Sequence, residues 1–138
     1  MFPRTYDFVE DILTLGQRSG TPPYLFGTDV AHAFHQVPTN SREWRYVSAA
    51  VGSQIFLFKV IVFGTASAPT TWGRFGAFLG RALSVVCDPG ALRVEVYVDD
   101  PVFVGVGPRA RVGREIALAL LWGASLGYPF AWAKSDGG

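Results

Sequence analysis

The segment that most constrains the fold of this chain is residues 92–106, where apolar residues alternate with others on either side of Asp99 and Asp100. Apolar residues with a period of two predict β-strands, and turn-forming aspartates between two such runs predict a hairpin. Adjacent carboxylates on an apolar hairpin repel each other, so they cost stability unless a cation offsets their charge. The segment therefore predicts a core hairpin with acidic side chains at its tip.

Periodicity and turn residues predict the other elements. Residues 5–15 predict a short helix that ends at Gly16, and residues 24–30 predict a strand that ends at Asp29. Residues 44–51 and 54–62 predict a second hairpin with Gly52 and Ser53 as its turn. Two further helices are predicted, one capped by Ser67 and running to residue 84, the other over residues 108–126. A last strand is predicted over residues 128–133.

The order of these elements indicates the fold class. Without the hairpin at residues 44–62, the order is strand, helix, strand, strand, helix, strand. This is the ferredoxin-like βαββαβ arrangement. We therefore expect an α+β fold with an inserted hairpin, in which an antiparallel sheet carries its helices on one face.

Composition excludes several classes of protein. The chain has 138 residues, enough for one domain, and its 49% hydrophobic and 17% charged residues exclude intrinsic disorder. Cys87 is the one cysteine, so an internal disulfide is excluded, and the net charge of +1 gives no global reason to expect an anionic partner. Residues 116–133 are uncharged, but Gly123, Gly127 and Pro129 interrupt them. We expect a buried helix and a strand there, and no membrane partner.

Three aspartates are the candidates for chemistry. The end of the Asp29 strand and the tip that carries Asp99 and Asp100 can lie side by side in the predicted sheet. Carboxylates that meet there form an oxygen-only site suited to Mg²⁺, and a pair of such ions can activate a hydroxyl and stabilise a leaving pyrophosphate. Two alternatives are aspartates that only stabilise turns, and a two-histidine, one-carboxylate site formed by Asp29, His32 and His35.

Four segments resemble motifs A to D of reverse transcriptases, in the family's order. Motif A is matched by DVAHAFHQVP at residues 29–38, and motif B by FGTASAPTTW at residues 63–72. Motif C is matched by YVDD at residues 97–100, and motif D by residues 126–134, where Lys134 follows a short predicted strand. The matches extend over about residues 24–134. The sequence thus resembles the palm of a retrotransposon reverse transcriptase.

The resemblance implies an RNA-directed DNA polymerase, in which a primer 3′-hydroxyl attacks the α-phosphate of a deoxynucleoside triphosphate. Asp29 and Asp99 would bind two Mg²⁺ ions, for which Mn²⁺ could substitute. Asp100 would support them, and the Val30 carbonyl would complete the site. Lys134 would lie near the triphosphate as a proton donor or an electrostatic aid.

The resemblance also implies nucleotide and nucleic-acid contacts. Phe34 would lie under the incoming sugar and leave no room for a 2′-hydroxyl, while Phe63 and Gly64 would contribute to the nucleotide site. Nucleic-acid contacts are implied for Arg74, Arg81 and Tyr97. The competing interpretation is structural, with Phe34 in a core, Gly64 in a turn and the arginines on a solvated helix face.

Some residues depart from the family pattern. Val62 stands where many relatives have proline, and Pro101 follows the paired aspartates. Because proline has no amide to donate, we expect Pro101 to remove the first rung of the hairpin. The resemblance implies one partial domain over residues 1–138, a palm with a remnant of fingers and without thumb or ribonuclease H. We expect such a chain to belong to a larger polyprotein, or to need the missing parts to bind a primer with its RNA or DNA template. The alternative is an inactive retroelement remnant that binds nucleic acid or a protein.

Overall fold

The computed structural model describes residues 5–132 and 136–137 and divides into two compact units. The sheet unit consists of the described residues up to Ala31 and from Gly73 onward, and the hairpin unit is His32–Trp72. In chain order the elements are α1 (Thr5–Ser19), β1 (Tyr24–Gly27), β2 (Ser48–Val51), β3 (Gln54–Leu57), α2 (Ala68–Val85), β4 (Leu92–Tyr97), β5 (Asp100–Gly105), α3 (Arg109–Ser125) and β6 (Asp136–Gly137). Short 3-10 helices lie at Ala33–Gln36 and Trp44–Tyr46.

The sheet unit contains one antiparallel sheet in the order β4-β5-β1-β6. The hairpin predicted over residues 92–106 is confirmed as β4 and β5, joined by a two-residue turn of Val98 and Asp99. Tyr97 lies opposite Asp100 at the start of the ladder. Asp99 is therefore in the turn, whereas Asp100 is the first residue of β5.

Helices α2 and α3 pack on one face of this sheet. That face carries the buried side chains of Leu92, Val94 and Val96 from β4, with Phe103 from β5 opposite Val94. Gly80 of α2 lies so close to the sheet that a Cβ added there would be 3.3 Å from Val96. Close approach of helix and strand thus depends on the missing side chain, and it buries the alternate apolar residues that predicted the strand.

Helix α1 packs on the opposite face, which corrects the expectation that the helices share one face. Its apolar residue Leu15 is buried with Val104 of β5 and with Val106, and Phe8 and Ile12 pack against this cluster. On the same face, Asp11 of α1 forms an ion pair with Arg93, the partner of Val104 on β4. The apolar stripe of α1 is thus buried against the second face of the sheet.

The predicted end of α1 is wrong, because the helix continues through Gly16 to Ser19. A Cβ on Gly16 would lie 3.5 Å from the ring of Pro23, so this glycine lies against the following connector instead of ending the helix. The helix ends at Gly20, whose φ of +65° is the left-handed conformation typical of glycine after a helix. Helices α2 and α3 agree with their predicted bounds to within one or two residues.

The strand predicted over residues 128–133 is wrong as an element. In the described part of that range, Phe130 forms an isolated antiparallel bridge with Val30. On the edge of β1 away from β5, the pairing strand is β6, where Asp136 and Gly137 lie opposite Gly27 and Phe26. The described helices include none that is long and apolar enough to cross a membrane.

In the hairpin unit, the predicted turn at Gly52 and Ser53 is confirmed between β2 and β3. Gly52 has a φ of +61°, a conformation that glycine adopts without strain. Both strands are shorter than predicted, because Trp44–Tyr46 forms a 3-10 helix and the chain after β3 turns to pair with residues 37–39. Thr39 donates to the Lys59 carbonyl at 2.9 Å in that pairing.

Candidate active site

The end of β1 brings Asp29 beside the β4–β5 turn. Beyond Gly27, the Thr28 amide donates to the Pro101 carbonyl at 3.1 Å, and the Val30 amide donates to the Asp99 carbonyl at 3.0 Å. Asp29 lies between these two bonded positions, so it lies opposite Asp100 in the same register. In antiparallel ladders such an intervening pair has Cα atoms about 4.5 Å apart and side chains on one face. The backbone therefore brings two of the three predicted carboxylates together, next to the third.

A second segment holds the same residues from the other side. The Ala131 amide donates to the Asp29 carbonyl at 2.8 Å, and the Ala31 amide donates to the Pro129 carbonyl at 2.7 Å. The chain from Asp29 to Ala31 is thus bonded on both edges, by the β4–β5 hairpin and by residues 129–131. Hydrogen bonds on both edges fix the backbone position of Asp29.

The turn itself is strained at Val98, which has a φ of +57°. Positive φ at the first turn position, without positive φ at Asp99, is the pattern of a type II′ hairpin turn, which normally has glycine there. A β-branched residue in this region is a genuine outlier, and such strain is concentrated at functional sites. The turn places the Asp99 carbonyl where it accepts a hydrogen bond from the Val30 amide.

Pro101 does not remove a rung of the hairpin, which corrects the expectation from the sequence. Tyr97 and Asp100 flank the two-residue turn as a hydrogen-bonded pair, so the next pair, Val96 and Pro101, needs no bond. The carbonyl of Pro101 accepts from Thr28, which shows that this residue directs its polar backbone toward β1. Because Pro101 has no N–H to complete that pair, regular β1 ends at Gly27 although the chain continues alongside β5.

The acidic end of this face is accessible to solvent. Asp29 and Asp99 are half-buried and Asp100 is exposed, while its partner Tyr97 is 57% exposed. Among residues 5–132 and 136–137, no group of three or more His, Cys, Asp or Glu side chains is placed to hold a metal ion. The magnesium prediction therefore depends on the backbone register of Asp29 with the turn. The set of oxygen donors that this register brings together fits the preference of Mg²⁺.

The hairpin unit contains the residues predicted to bind the nucleotide. Phe34 is only 5% exposed, and its ring centroid lies 4.3 Å from that of Phe63 and 5.9 Å from that of Trp72. Phe63 is itself 71% exposed, and Gly64 has a φ of +91° with open space around it. Phe34 thus has a packing role within this unit, and its predicted role under the sugar stays a prediction.

The predicted nucleic-acid residues Arg74 and Arg81 are exposed on α2. Their spacing of seven residues places them on one side of the helix, two turns apart. Near this helix, the Tyr128 hydroxyl donates to the Phe75 carbonyl at 3.4 Å, and burial raises the pKa of Tyr128 above its usual value. Lys134 lies outside the described residues.

Sequence reasoning missed two features of this site. The strain at Val98 has a signal in retrospect, since a two-residue hairpin turn requires a positive φ that valine does not favour. The bonds from residues 129–131 to Asp29 and Ala31 had no such signal, because a single bridge leaves no periodicity in the sequence.

Comparison with known proteins gives a likeness in structure only. No protein-family model and no curated protein matches this chain. A mutant of the prototype foamy virus protease–reverse transcriptase matches with a TM-score of 0.66 and 18% identity, and the native protein with 0.66 and 16%. The foamy viral protease–reverse transcriptase in complex with an RNA/DNA hybrid matches with 0.63 and 18%. Each match covers 82% of this chain.

The fold is reverse-transcriptase-like. The chain spans only 14% of the length of each of these three viral proteins, so the likeness concerns a segment of each protein. At 16–18% identity, the likeness concerns the fold alone.

Proposed function

We propose that this chain is the palm segment of an RNA-directed DNA polymerase of the retrotransposon type. The observation that carries the proposal is the register of Asp29 with the β4–β5 turn, in a chain whose fold is reverse-transcriptase-like. The antiparallel order β4-β5-β1-β6, with the β2–β3 hairpin in a separate unit, supports a ferredoxin-like palm with an insertion. The four motifs in the family's order support the same assignment.

The reaction proposed is the attack of a primer 3′-hydroxyl on the α-phosphate of a deoxynucleoside triphosphate. Asp29 and Asp99 would hold Mg²⁺, with Asp100 and the Val30 carbonyl as further oxygen donors. When bound, the ions would lower the pKa of the attacking hydroxyl and stabilise charge on the phosphates. The chain's own contribution is positioning, because two edges of hydrogen bonds fix Asp29 and a strained turn fixes Asp99.

The remaining predicted residues have roles in binding. Phe34 would exclude a 2′-hydroxyl at the sugar, with Phe63 and Gly64 beside the nucleotide. Arg74 and Arg81, both exposed, would follow the template phosphates, whose negative charge attracts exposed cations. Lys134 would act near the triphosphate. The span of 14% supports the proposal that the natural chain works within a larger polyprotein that supplies the rest of the binding surface.

A second candidate is a catalytically inactive remnant that binds nucleic acid or a protein. Pro101 favours this inactive candidate, because it donates no N–H to the chain that follows β1. The backbone of Asp29 therefore depends on the remaining hydrogen bonds of its neighbours. This candidate keeps the fold and the exposed arginines but needs no metal.

A chimera separates the two candidates. Residues 24–132 replace the corresponding segment of the foamy viral reverse transcriptase, and extension of a DNA primer on an RNA template is measured with Mg²⁺. We expect extension, abolished by Asp99→Asn and retained by Asp88→Asn, which changes an exposed aspartate of the same unit. A chimera that binds the RNA/DNA hybrid but extends no primer contradicts the polymerase proposal and favours the inactive module.

A further inference from the structure

Both histidines of this chain, His32 and His35, lie on one short turn of the hairpin unit. His35 belongs to the 3-10 helix Ala33–Gln36, and His32 is the residue that precedes this helix. In a 3-10 helix, side chains three residues apart lie on the same side. The two rings agree with this placement, because they are nearly parallel, at 20°, and their centroids are 6.2 Å apart. The turn thus brings both imidazoles of the chain together.

The backbone of this turn is held by a hydrogen bond and by buried side chains. The His35 amide donates to the His32 carbonyl at 2.8 Å, which closes the turn between the two histidines. Ala33 and Phe34, which lie between them, are buried, and the ring of Phe34 packs on that of Phe63. The spacing of the histidines is therefore set before any ligand binds, and a preorganised pair of groups loses little freedom on binding.

The two imidazoles are accessible to a ligand. Both side chains are exposed. In the part of the chain that the structure describes, neither imidazole makes a hydrogen bond or an ion pair. Their contacts are between rings, with His35 also meeting Phe63 edge-on at a centroid distance of 6.5 Å. The ring nitrogens of the pair are therefore open to a ligand from solvent.

The chemistry of two imidazoles selects the class of ligand. Imidazole nitrogen suits Zn²⁺ and Cu²⁺, whereas Mg²⁺ prefers oxygen. A zinc–nitrogen bond is about 2.0–2.1 Å long, so two imidazoles that share one ion have ring centroids about 5–6 Å apart. A small rotation of the two exposed side chains closes the observed 6.2 Å to that separation. Within residues 5–132 and 136–137, no group of three or more His, Cys, Asp or Glu is placed to hold a metal, so water would complete the coordination.

We propose that His32 and His35 form a chelate for a late transition-metal ion of the class of Zn²⁺ and Cu²⁺. The ion ties together the two ends of the turn that carries Phe34, and binding therefore stabilises this turn. The chelate differs from a two-histidine, one-carboxylate site, because it needs no ligand from Asp29. It also does not depend on the proposed polymerase function, whose three aspartates belong to the sheet unit.

Calorimetric titration with Zn²⁺ tests the chelate. The titration contains about 10 mM Mg²⁺, which occupies oxygen sites and competes poorly for imidazole. We expect binding that is about tenfold or more weaker in His32→Ala and in His35→Ala, because the second imidazole acts as an intramolecular ligand. The control Glu43→Gln changes an exposed group of the same unit and should leave the affinity unchanged. Cys87 is buried and does not compete for the ion.

Electron paramagnetic resonance with Cu²⁺ gives an independent measurement of the ligands. We expect coupling of the copper to two imidazole nitrogens in the unmodified chain, and to one in His32→Ala or His35→Ala. Asp29→Asn should keep the coupling to both nitrogens. Because both histidines are exposed, we expect the alanine variants to fold, and urea unfolding without metal checks this. Zn²⁺ should raise the Tm of the unmodified chain but not that of the double alanine variant.

Each of three results overturns the chelate. The first is the absence of Zn²⁺ binding by the unmodified chain. The second is an affinity for Zn²⁺ that stays the same in both alanine variants, which assigns the ion to other residues. The third is a loss of binding in Asp29→Asn as well as in the histidine variants, which assigns the ion to a site with three protein ligands.

Discussion

At the scale of single residues, Asp29 owes its position to backbone bonds made by its neighbours. Thr28 and Val30 donate to the β4–β5 hairpin, while the Asp29 carbonyl accepts from Ala131. The position of the side chain is therefore set by the backbone of this segment. A substitution at Asp29 that keeps the size of the side chain should leave this backbone arrangement intact.

Val98 provides a test of strain at the turn. Its φ of +57° costs roughly 1–3 kcal/mol, and glycine removes that cost. We expect Val98→Gly to stabilise the fold by about 1 kcal/mol in urea unfolding, after the entropic cost of glycine is subtracted. The matched control Val102→Gly, in the regular part of β5, should destabilise it. A loss of stability in both variants contradicts the strained turn.

Cys87 should react slowly in the folded protein. Burial, and secondarily the Glu115 carboxylate, raises the pKa of its thiol from 9.0 to about 11. The neutral thiol is favoured by folding, so the thiolate forms only as pH rises toward 11. At pH 8 the folded chain has about a hundredfold less thiolate than a group with a pKa of 9. Alkylation by iodoacetamide should be at least that much slower than in urea, and equal rates contradict the buried thiol.

The residues of the candidate site could be predicted where one short motif brings them together. The turn at Asp99 was predictable from apolar alternation that ends at an acid, whereas β1 ends at Gly27, two residues before the predicted strand end at Asp29. The effect of Pro101 was not predictable from the sequence. Its missing amide matters only on the side of β5 toward which it would point, and that side depends on which pairs of the ladder are hydrogen-bonded. The two-residue turn determines which pairs are hydrogen-bonded, and this can be assigned only once the register of the strands is known.

At the scale of elements, Gly123 allows one of the close contacts between α3 and the rest of the sheet unit. A Cβ on Gly123 would lie 2.7 and 2.9 Å from the ring of Phe130 and 3.0 Å from Leu83. Phe130 forms the bridge to Val30, next to Asp29. The close approach of α3 therefore supports the strand end that carries the first carboxylate.

Two glycines of α3 make a matched pair. We expect Gly123→Ala to destabilise the fold by about 1–3 kcal/mol, because the added methyl group collides with Phe130 and Leu83. Gly113→Ala meets open space on the same helix and should stabilise it by up to about 1 kcal/mol through helix propensity. Urea unfolding of both variants measures the difference, and effects of the same sign contradict this packing.

The helices were predictable from sequence to within a few residues, because apolar spacing and capping signals mark them locally. The side of the sheet on which α1 packs was not, since its stripe of Phe8, Ile12 and Leu15 fits either face equally well. The last strand was misplaced for a similar reason. Residues 128–132 are apolar like a strand, but they make one bridge before β6 takes over the pairing with β1.

At the scale of the whole molecule, the predicted functions divide between the two units. The three aspartates, the β4–β5 turn and both arginines belong to the sheet unit, whereas Phe34, Phe63 and Gly64 belong to the hairpin unit. The metal proposal can therefore be tested on the sheet unit's residues alone. The proposed sugar contact of Phe34 belongs to the hairpin unit and is tested with a bound nucleotide.

The central claim is that Asp29, Asp99 and Asp100 form a site for divalent ions, and thermal unfolding with added metal is its direct test. A ligand that binds only the folded chain must raise its melting temperature. We expect Mg²⁺ or Mn²⁺ at about 10 mM to raise Tm by a few degrees, with the rise lost in Asp29→Asn and in Asp99→Asn and kept in Glu43→Gln. No rise in the unmodified chain, or an equal rise in both aspartate variants, contradicts the claim.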